Sequence, residues 1–142
     1  VIQLNSDEEE ARMGQIRHIA ISSDDTEKLA NFYKEVFGFW QSRPTPEGRK
    51  TIYLTDGHVE LAILENTNQQ NSNGLHHFGI QTDDLDDTVK RIEKIQPGKE
   101  IFRPETGSPG GMWLSDASGN HVYLSVDGKL EYQPVEKYSW RK

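Results

Sequence analysis

The chain has 142 residues, 33% of them hydrophobic, with a mean hydropathy of −0.80 and a formal net charge of −7. That length suits one compact domain. The acidic balance argues against a general affinity for nucleic acid or anionic membrane, and no apolar run reaches the roughly 18 residues of a bilayer span. With no cysteine, disulfides, thiolate metal sites and cysteine nucleophiles are excluded. No basic segment followed by an apolar one opens the sequence, so a cytoplasmic protein is expected.

Residues 1–14, with Asp7-Glu8-Glu9-Glu10, read as an acidic solvated arm. Residues 15–22 alternate and read as a strand, after which Asp24, Asp25 and Thr26 supply oxygens that can cap a helix start. Leu29, Ala30, Phe32, Tyr33, Val36 and Phe37 follow at helical spacing as one broad apolar stripe, and Gly38 ends the helix. Residues 39–43 are a predicted strand stopped by Pro44 and Pro46. Residues 50–55 and 58–64 read as two strands joined at Asp56-Gly57, a hairpin signal. The Asn/Gln-rich stretch 65–74 has no periodicity and reads as a link.

Residues 75–82 then form a predicted strand, and Leu85, Val89, Ile92 and Ile95 mark a helix that stops at Pro97-Gly98. Residues 99–103 are expected as a strand, 104–111 as a Gly/Pro-rich loop, and 112–115 with 120–126 as a second hairpin around Asp116-Ala117-Ser118-Gly119. A tail, 127–142, carries Tyr132, Tyr138 and Trp140. The order is β-α-β-β-β, twice.

The two halves repeat in residue type as well. Arg17-His18-Ile19-Ala20-Ile21 followed by Asp24-Asp25 returns 59 residues later as His76-His77-Phe78-Gly79-Ile80 followed by Asp83-Asp84. His58-Val59-Glu60-Leu61 is answered by His121-Val122-Tyr123-Leu124. Two matches in the same order at nearly the same offset indicate a duplicated module, 15–65 and 74–126. Each half alone is too small to be more than marginally stable, so the halves are expected to share one domain.

Splitting each strand into its two faces separates bulky apolar residues from polar or small ones. Ile19 and Ile21 oppose His18 and Ala20; Leu61 and Ile63 oppose Glu60 and Ala62; Phe78 and Ile80 oppose His77 and Gly79; Val122 and Leu124 oppose His121, Tyr123 and Ser125. The apolar faces suit packing against helices, and the others would line a pocket holding His18, Glu60, His77 and Tyr123. Two imidazoles and a carboxylate are a common ligand set for a first-row divalent metal, with positions left open for substrate. The plainer reading makes each His a hydrogen-bonded interior residue. Equivalent repeat positions, in phase with Glu60, tilt the balance toward a metal. His76 falls on the opposite face from His77 and is assigned a structural or surface role. His121 is a candidate for acid/base work, and Tyr53 and Trp113, in equivalent hairpin strands, are candidates to line the substrate pocket.

The stretches Arg17-His18-Ile19-Ala20-Ile21, Phe32-Tyr33-Lys34-Glu35-Val36-Phe37-Gly38-Phe39, Gly74-Leu75-His76-His77-Phe78 and Asp116-Ala117-Ser118-Gly119-Asn120-His121 resemble the vicinal oxygen chelate superfamily. Glyoxalase I, methylmalonyl-CoA epimerase, extradiol dioxygenases and fosfomycin- and bleomycin-resistance proteins belong to it. The resemblance implies an α+β fold in which two βαβββ modules form an open, cup-shaped mixed sheet, with metal ligands on the first and last strands of each module. Carried over by position these are His18, Glu60, His77 and Tyr123. Tyr123 departs from the pattern, since glyoxalase I usually has Glu there. A phenol, with a reference pKa of about 10, is a poor ligand and base near neutral pH, so Tyr123 is expected to hydrogen-bond a metal-bound substrate or to bind Fe(III) as phenolate. The metal set becomes His18, Glu60 and His77, with Tyr123 and His121 as catalytic candidates.

That count leans toward a non-haem dioxygenase using a divalent metal, Fe(II) favoured over Mn, Co, Ni or Zn, on a small oxygen-bearing organic substrate. A glyoxalase- or epimerase-type lyase or isomerase is the alternative, and a metal-free binding or resistance protein a third. The resemblance also implies a homodimer.

Overall fold

The computed structural model describes residues 14–67, 72–103 and 111–126. The acidic arm, the C-terminal tail and most of the Gly/Pro-rich loop lie outside the described residues. Nine elements follow in chain order: β1 (Gly14–Ser23), α1 (Thr26–Phe37), β2 (Trp40–Arg43), β3 (Ile52–Thr55), β4 (Glu60–Glu65), β5 (Gly74–Thr82), α2 (Leu85–Ile95), β6 (Met112–Ser115) and β7 (His121–Ser125).

Both helices begin at the aspartates that end the repeated motif. Asp25 accepts a hydrogen bond from the Lys28 amide at 3.1 Å, and Asp84 accepts one from Asp87 at 3.0 Å. Each thereby satisfies an amide that the first helical turn leaves without a partner. α1 ends where Gly38 takes a left-handed conformation (φ 73°) and donates to the Lys34 carbonyl at 3.0 Å.

The strands form one mixed seven-stranded sheet in the order β2-β3-β4-β1-β5-β7-β6. β1 and β5 run antiparallel at its centre, and each has its own module's last strand parallel on its outer side, β4 beside β1 and β7 beside β5. The sheet is therefore pseudo-symmetric about the β1–β5 seam, as the duplication requires.

Each module packs one sheet face on its helix. Ala30, Leu54 and Ile63 form one buried cluster, joined by Ile21, Leu29, Tyr33 and Leu61. Met112, Val122 and Leu124 form the other, with Phe78, Ile80, Leu85, Val89 and Ile92 around it. These are the apolar strand faces assigned from alternation. The opposite face carries a third cluster, Ala20, Tyr53, Ala62, Trp113 and Tyr123.

Four expectations are corrected. The strand at 99–103 is a single bridge in which Phe102 and Trp113 exchange backbone hydrogen bonds at 2.8 Å, so among the described residues the second module has one strand fewer than the first. Asp56-Gly57 is not a two-residue turn: Thr55 pairs with Glu60, and the Asp56 carboxylate gathers the amides of His58 and Val59 across a four-residue loop. Those bonds, Val59's foremost, hold the Asp56 carboxyl below the usual carboxylate range, as the Asn120 side chain does for Asp116 in the matching loop. The α1 stripe is wider than the sheet can cover, leaving Phe32, Val36 and Phe37 at least half exposed. His76 does not lie across the sheet from His77: Ala20 pairs with His77 but Ile21 with Leu75, so His76 is the extra residue of a bulge, and its Nδ1 comes within 2.7 Å of His77 Nδ1. Among the described residues no helix is long and apolar enough to cross a membrane.

Replacing Asp84 with Ala removes the α2 cap and should lower unfolding free energy by about 1 kcal/mol, read by urea titration. An unchanged midpoint would show that water replaces the carboxylate at no cost.

Candidate functional site

Strand pairing lines up the cup face residue by residue. Glu60 pairs with His18, His18 with Gly79, Gly79 with Tyr123 and Tyr123 with Trp113, forming one row across β4, β1, β5, β7 and β6. The next row runs Tyr53, Ala62, Ala20, His77. Residues paired across a ladder project from the same face, so both rows share the cup.

Small residues among these side chains make room for the rings. A Cβ on Gly79 would fall inside the His18 ring, so His18 reaches across the seam and lies over the β5 backbone. There it meets His77 edge-on, with ring centroids 5.3 Å apart and planes at 87°. Tyr123 lies 6.0 Å from His18, and Trp113 packs 4.6 Å from His77 and 4.8 Å from Tyr123. His18 is 0% exposed, His77 2% and Tyr123 2%. The Nε2 atoms of both histidines are buried.

Glu60 shares the row but turns the other way. Its Oε1 accepts from Arg43 Nη2 at 2.8 Å, and its Oε2 accepts from Arg43 Nε at 3.1 Å and from Ser42 Oγ at 2.8 Å. The Arg43 guanidinium lies 3.7 Å over the Tyr53 ring, adding a cation–π contact to the two-pronged ion pair. His121 stands two residues before Tyr123 on β7, its Nδ1 3.5 Å from Ser115 Oγ. A cleft bordered by Lys99, Glu100, Phe102 and Ser115 reaches Trp113.

The structure thus gathers His18, His77, Tyr123 and Trp113, places Tyr53 in the same buried cluster, and holds Glu60 away on β2. Among the described residues no three His, Asp or Glu side chains lie close enough together to hold a metal. The histidine pair itself fits one. A metal bound at about 2.1 Å by each of two imidazole nitrogens sets their ring centroids roughly 4.5–5.3 Å apart, and the observed 5.3 Å reaches that range. The donor chemistry, imidazole with a carboxylate in the same row, suits a first-row divalent ion.

Sequence reasoning missed Arg43, Ser42 and Gly79. Arg43 was recoverable from alternation, since it pairs with Tyr53 across β2–β3. Gly79 was seen as small but not as the seat of the His18 ring.

Known proteins match this architecture. The family model for the Glyoxalase/Bleomycin resistance protein/Dioxygenase superfamily matches residues 15–124, and the chain belongs to that superfamily. Mitochondrial methylmalonyl-CoA epimerase of Homo sapiens is 27% identical over 95 residues, covering 58% of this chain and 54% of the human protein. The match thus spans about half of that relative. A probable trivalent organoarsenical cleaving enzyme of Bacillus subtilis (strain 168) is 25% identical over 126 residues, covering 82% of this chain and 84% of its own. Among solved structures, a Streptomyces coelicolor methylmalonyl-CoA epimerase in complex with 2-nitronate-propionyl-CoA superposes with a TM-score of 0.58 at 24% identity, covering 80% of this chain and 96% of that one.

Two substitutions test this geometry. Gly79→Ala should cost about 1–3 kcal/mol, the usual penalty of overpacking, and should displace the His18 ring resonances in NMR spectra; a neutral effect would mean the ring does not lie over β5. Arg43→Met should cost about 1 kcal/mol, since the pair is partly exposed and screened by water, read by urea titration. No loss would show that the Glu60 clamp contributes nothing to the metal-free fold.

Proposed function

We propose that this superfamily member binds a divalent metal between His18 and His77 and uses it to hold a small oxygen-bearing organic substrate in the cup, with Glu60 as third ligand. The supporting observation is the pair of buried imidazoles at equivalent repeat positions, 5.3 Å apart and perpendicular across the central seam. Two imidazoles held side by side on one face are suited to share a divalent ion. When bound, such an ion acts as a Lewis acid that polarises a coordinated oxygen.

The chain's own groups take the remaining roles. Glu60 would serve as ligand once its carboxylate left Arg43, and the Arg43 guanidinium, stacked on Tyr53, would then receive an anionic oxygen of the substrate. Tyr123, its ring 6.0 Å from that of His18, donates a hydrogen bond from its phenolic hydroxyl to substrate oxygen. Trp113 packs the far wall, with Tyr53 on the near one, and together they keep water from the reacting atoms.

Two reaction classes fit this arrangement. Oxygen chemistry of the dioxygenase type agrees with a two-histidine, one-carboxylate count. Epimerase-type proton transfer is favoured as strongly by the likeness to the human epimerase; with Glu60 as ligand, it needs His121 or another pocket group as base. A metal-free binding protein is the remaining reading, favoured by the intact Arg43–Glu60 pair.

Elemental analysis of the parent beside His77→Ala and Tyr123→Phe separates these readings. About one metal per chain is expected, lost in His77→Ala and kept in Tyr123→Phe. Failure of the parent to take up Fe(II), Mn(II), Co(II), Ni(II) or Zn(II) would overturn the metal reading and leave a binding protein. For a loaded protein, deuterium incorporation into methylmalonyl-CoA in heavy water identifies proton transfer. Substrate-dependent oxygen uptake across a panel of catechols identifies the oxygenase instead.

A further inference from the structure

The exposed aromatics of α1 have no counterpart in the other half of the duplicated chain. Both helices start at equivalent aspartates, Asp25 and Asp84, so positions 59 apart correspond. Phe32 of α1 matches Arg91 of α2, which forms a surface ion pair with Asp87 at 2.8 Å. Phe37 matches Gln96. Val36 alone keeps an apolar match, the exposed Ile95. Polar side chains thus serve the same fold at two of these positions, and packing within the chain does not call for the aromatics.

Phe32, Val36 and Phe37 are each at least half exposed. The Phe32 ring leans on those of Tyr33 and Phe37, with centroids 5.4 and 5.9 Å away, so the aromatic surface is continuous. An exposed apolar patch with charged residues at its border marks an interaction surface.

The border charges decide what the patch fits. Lys28 and Glu35 are both exposed and lie seven residues apart. That spacing is about two helical turns, so they stand on one flank of α1 about 10 Å apart along its axis. Phe32 falls midway between them. A two-fold axis at Phe32 that sets a second copy antiparallel brings Lys28 against the partner's Glu35 and Glu35 against the partner's Lys28. The patch is therefore self-complementary, which is what an isologous contact requires.

We propose that α1 is the contact face of a homodimer, two copies packing their α1 helices antiparallel about a two-fold axis at Phe32. Burial of Phe32 and Val36 supplies the driving force, and the crossed Lys28–Glu35 pairs set orientation and register. Pairing as such is what the family resemblance implies; the face, the axis and the crossed charges are read from this chain. One helix face is smaller than the roughly 800 Å² per partner of a standard interface, so the dimer dissociates on dilution. No residue of the cup takes part, and the proposal stands whether or not the cup holds a metal.

Sedimentation equilibrium of the full chain over a range of concentrations tests it, with circular dichroism to confirm that each variant folds. The parent should show a monomer–dimer equilibrium. Phe32→Ser should weaken it about tenfold or more. Lys28→Glu and Glu35→Lys each set like charges face to face twice, and each alone should weaken self-association by a similar factor. Mixing those two variants restores opposite charges in both pairs, so a mixed dimer should form, read by native mass spectrometry with one variant nitrogen-15 labelled. A parent monomeric at every concentration would overturn the proposal. So would a dimer that the charge variants leave intact, or a mixture that forms no mixed dimer.

Discussion

The antiparallel seam between β1 and β5 is the constraint on which this protein depends. It joins the two halves of a duplicated chain, sets His18 over the backbone of Gly79, and puts His77 one row away on the same face. Neither module contains that arrangement alone. Each contributes one ring from its first strand, and only their pairing buries both at 5.3 Å. Helix packing on the opposite face, through two separate apolar clusters, holds the seam in place without occupying the cup.

A second interaction competes for the same chemistry. Glu60 stands in register with His18, yet its carboxylate is held by Arg43 and Ser42. The pair is partly exposed, with side chains 30% and 20% accessible, so screening by water keeps it exchangeable rather than permanent. A divalent ion carries twice the guanidinium's charge and would compete with it for the carboxylate. That exchange would couple metal binding to the release of a cation on the cup wall, where a negatively charged substrate group can use it.

Much of this was legible in the sequence, for identifiable reasons. Strict alternation at Ile19 to Ile21 and at Phe78 to Ile80 fixed which faces pack on the helices, because one face is buried and a slip would expose it. Asp25, Asp84 and Gly38 marked helix ends by capping chemistry that operates locally. Alternation failed at His76, since a bulge adds a residue without leaving a mark in residue type, and the side chain expected on the far face came round to His77. It was also silent on Glu60: sharing a face with His18 says nothing of the direction in which a flexible carboxylate leans, and its partners come from β2, whose residues had not been sorted by face. The strand at 99–103 shrank to one bridge because a short segment with a single aromatic, the partly buried Phe102, has little to anchor a longer ladder.

The central claim is that one ion is shared by an imidazole from each module. X-ray absorption at the cobalt edge of the Co(II)-loaded protein reads those ligands directly. Two imidazoles per metal, falling to one when either His18 or His77 is replaced by Ala, is the result this account predicts. A metal with no imidazole in its shell, or one whose shell is unchanged by both substitutions, would contradict it.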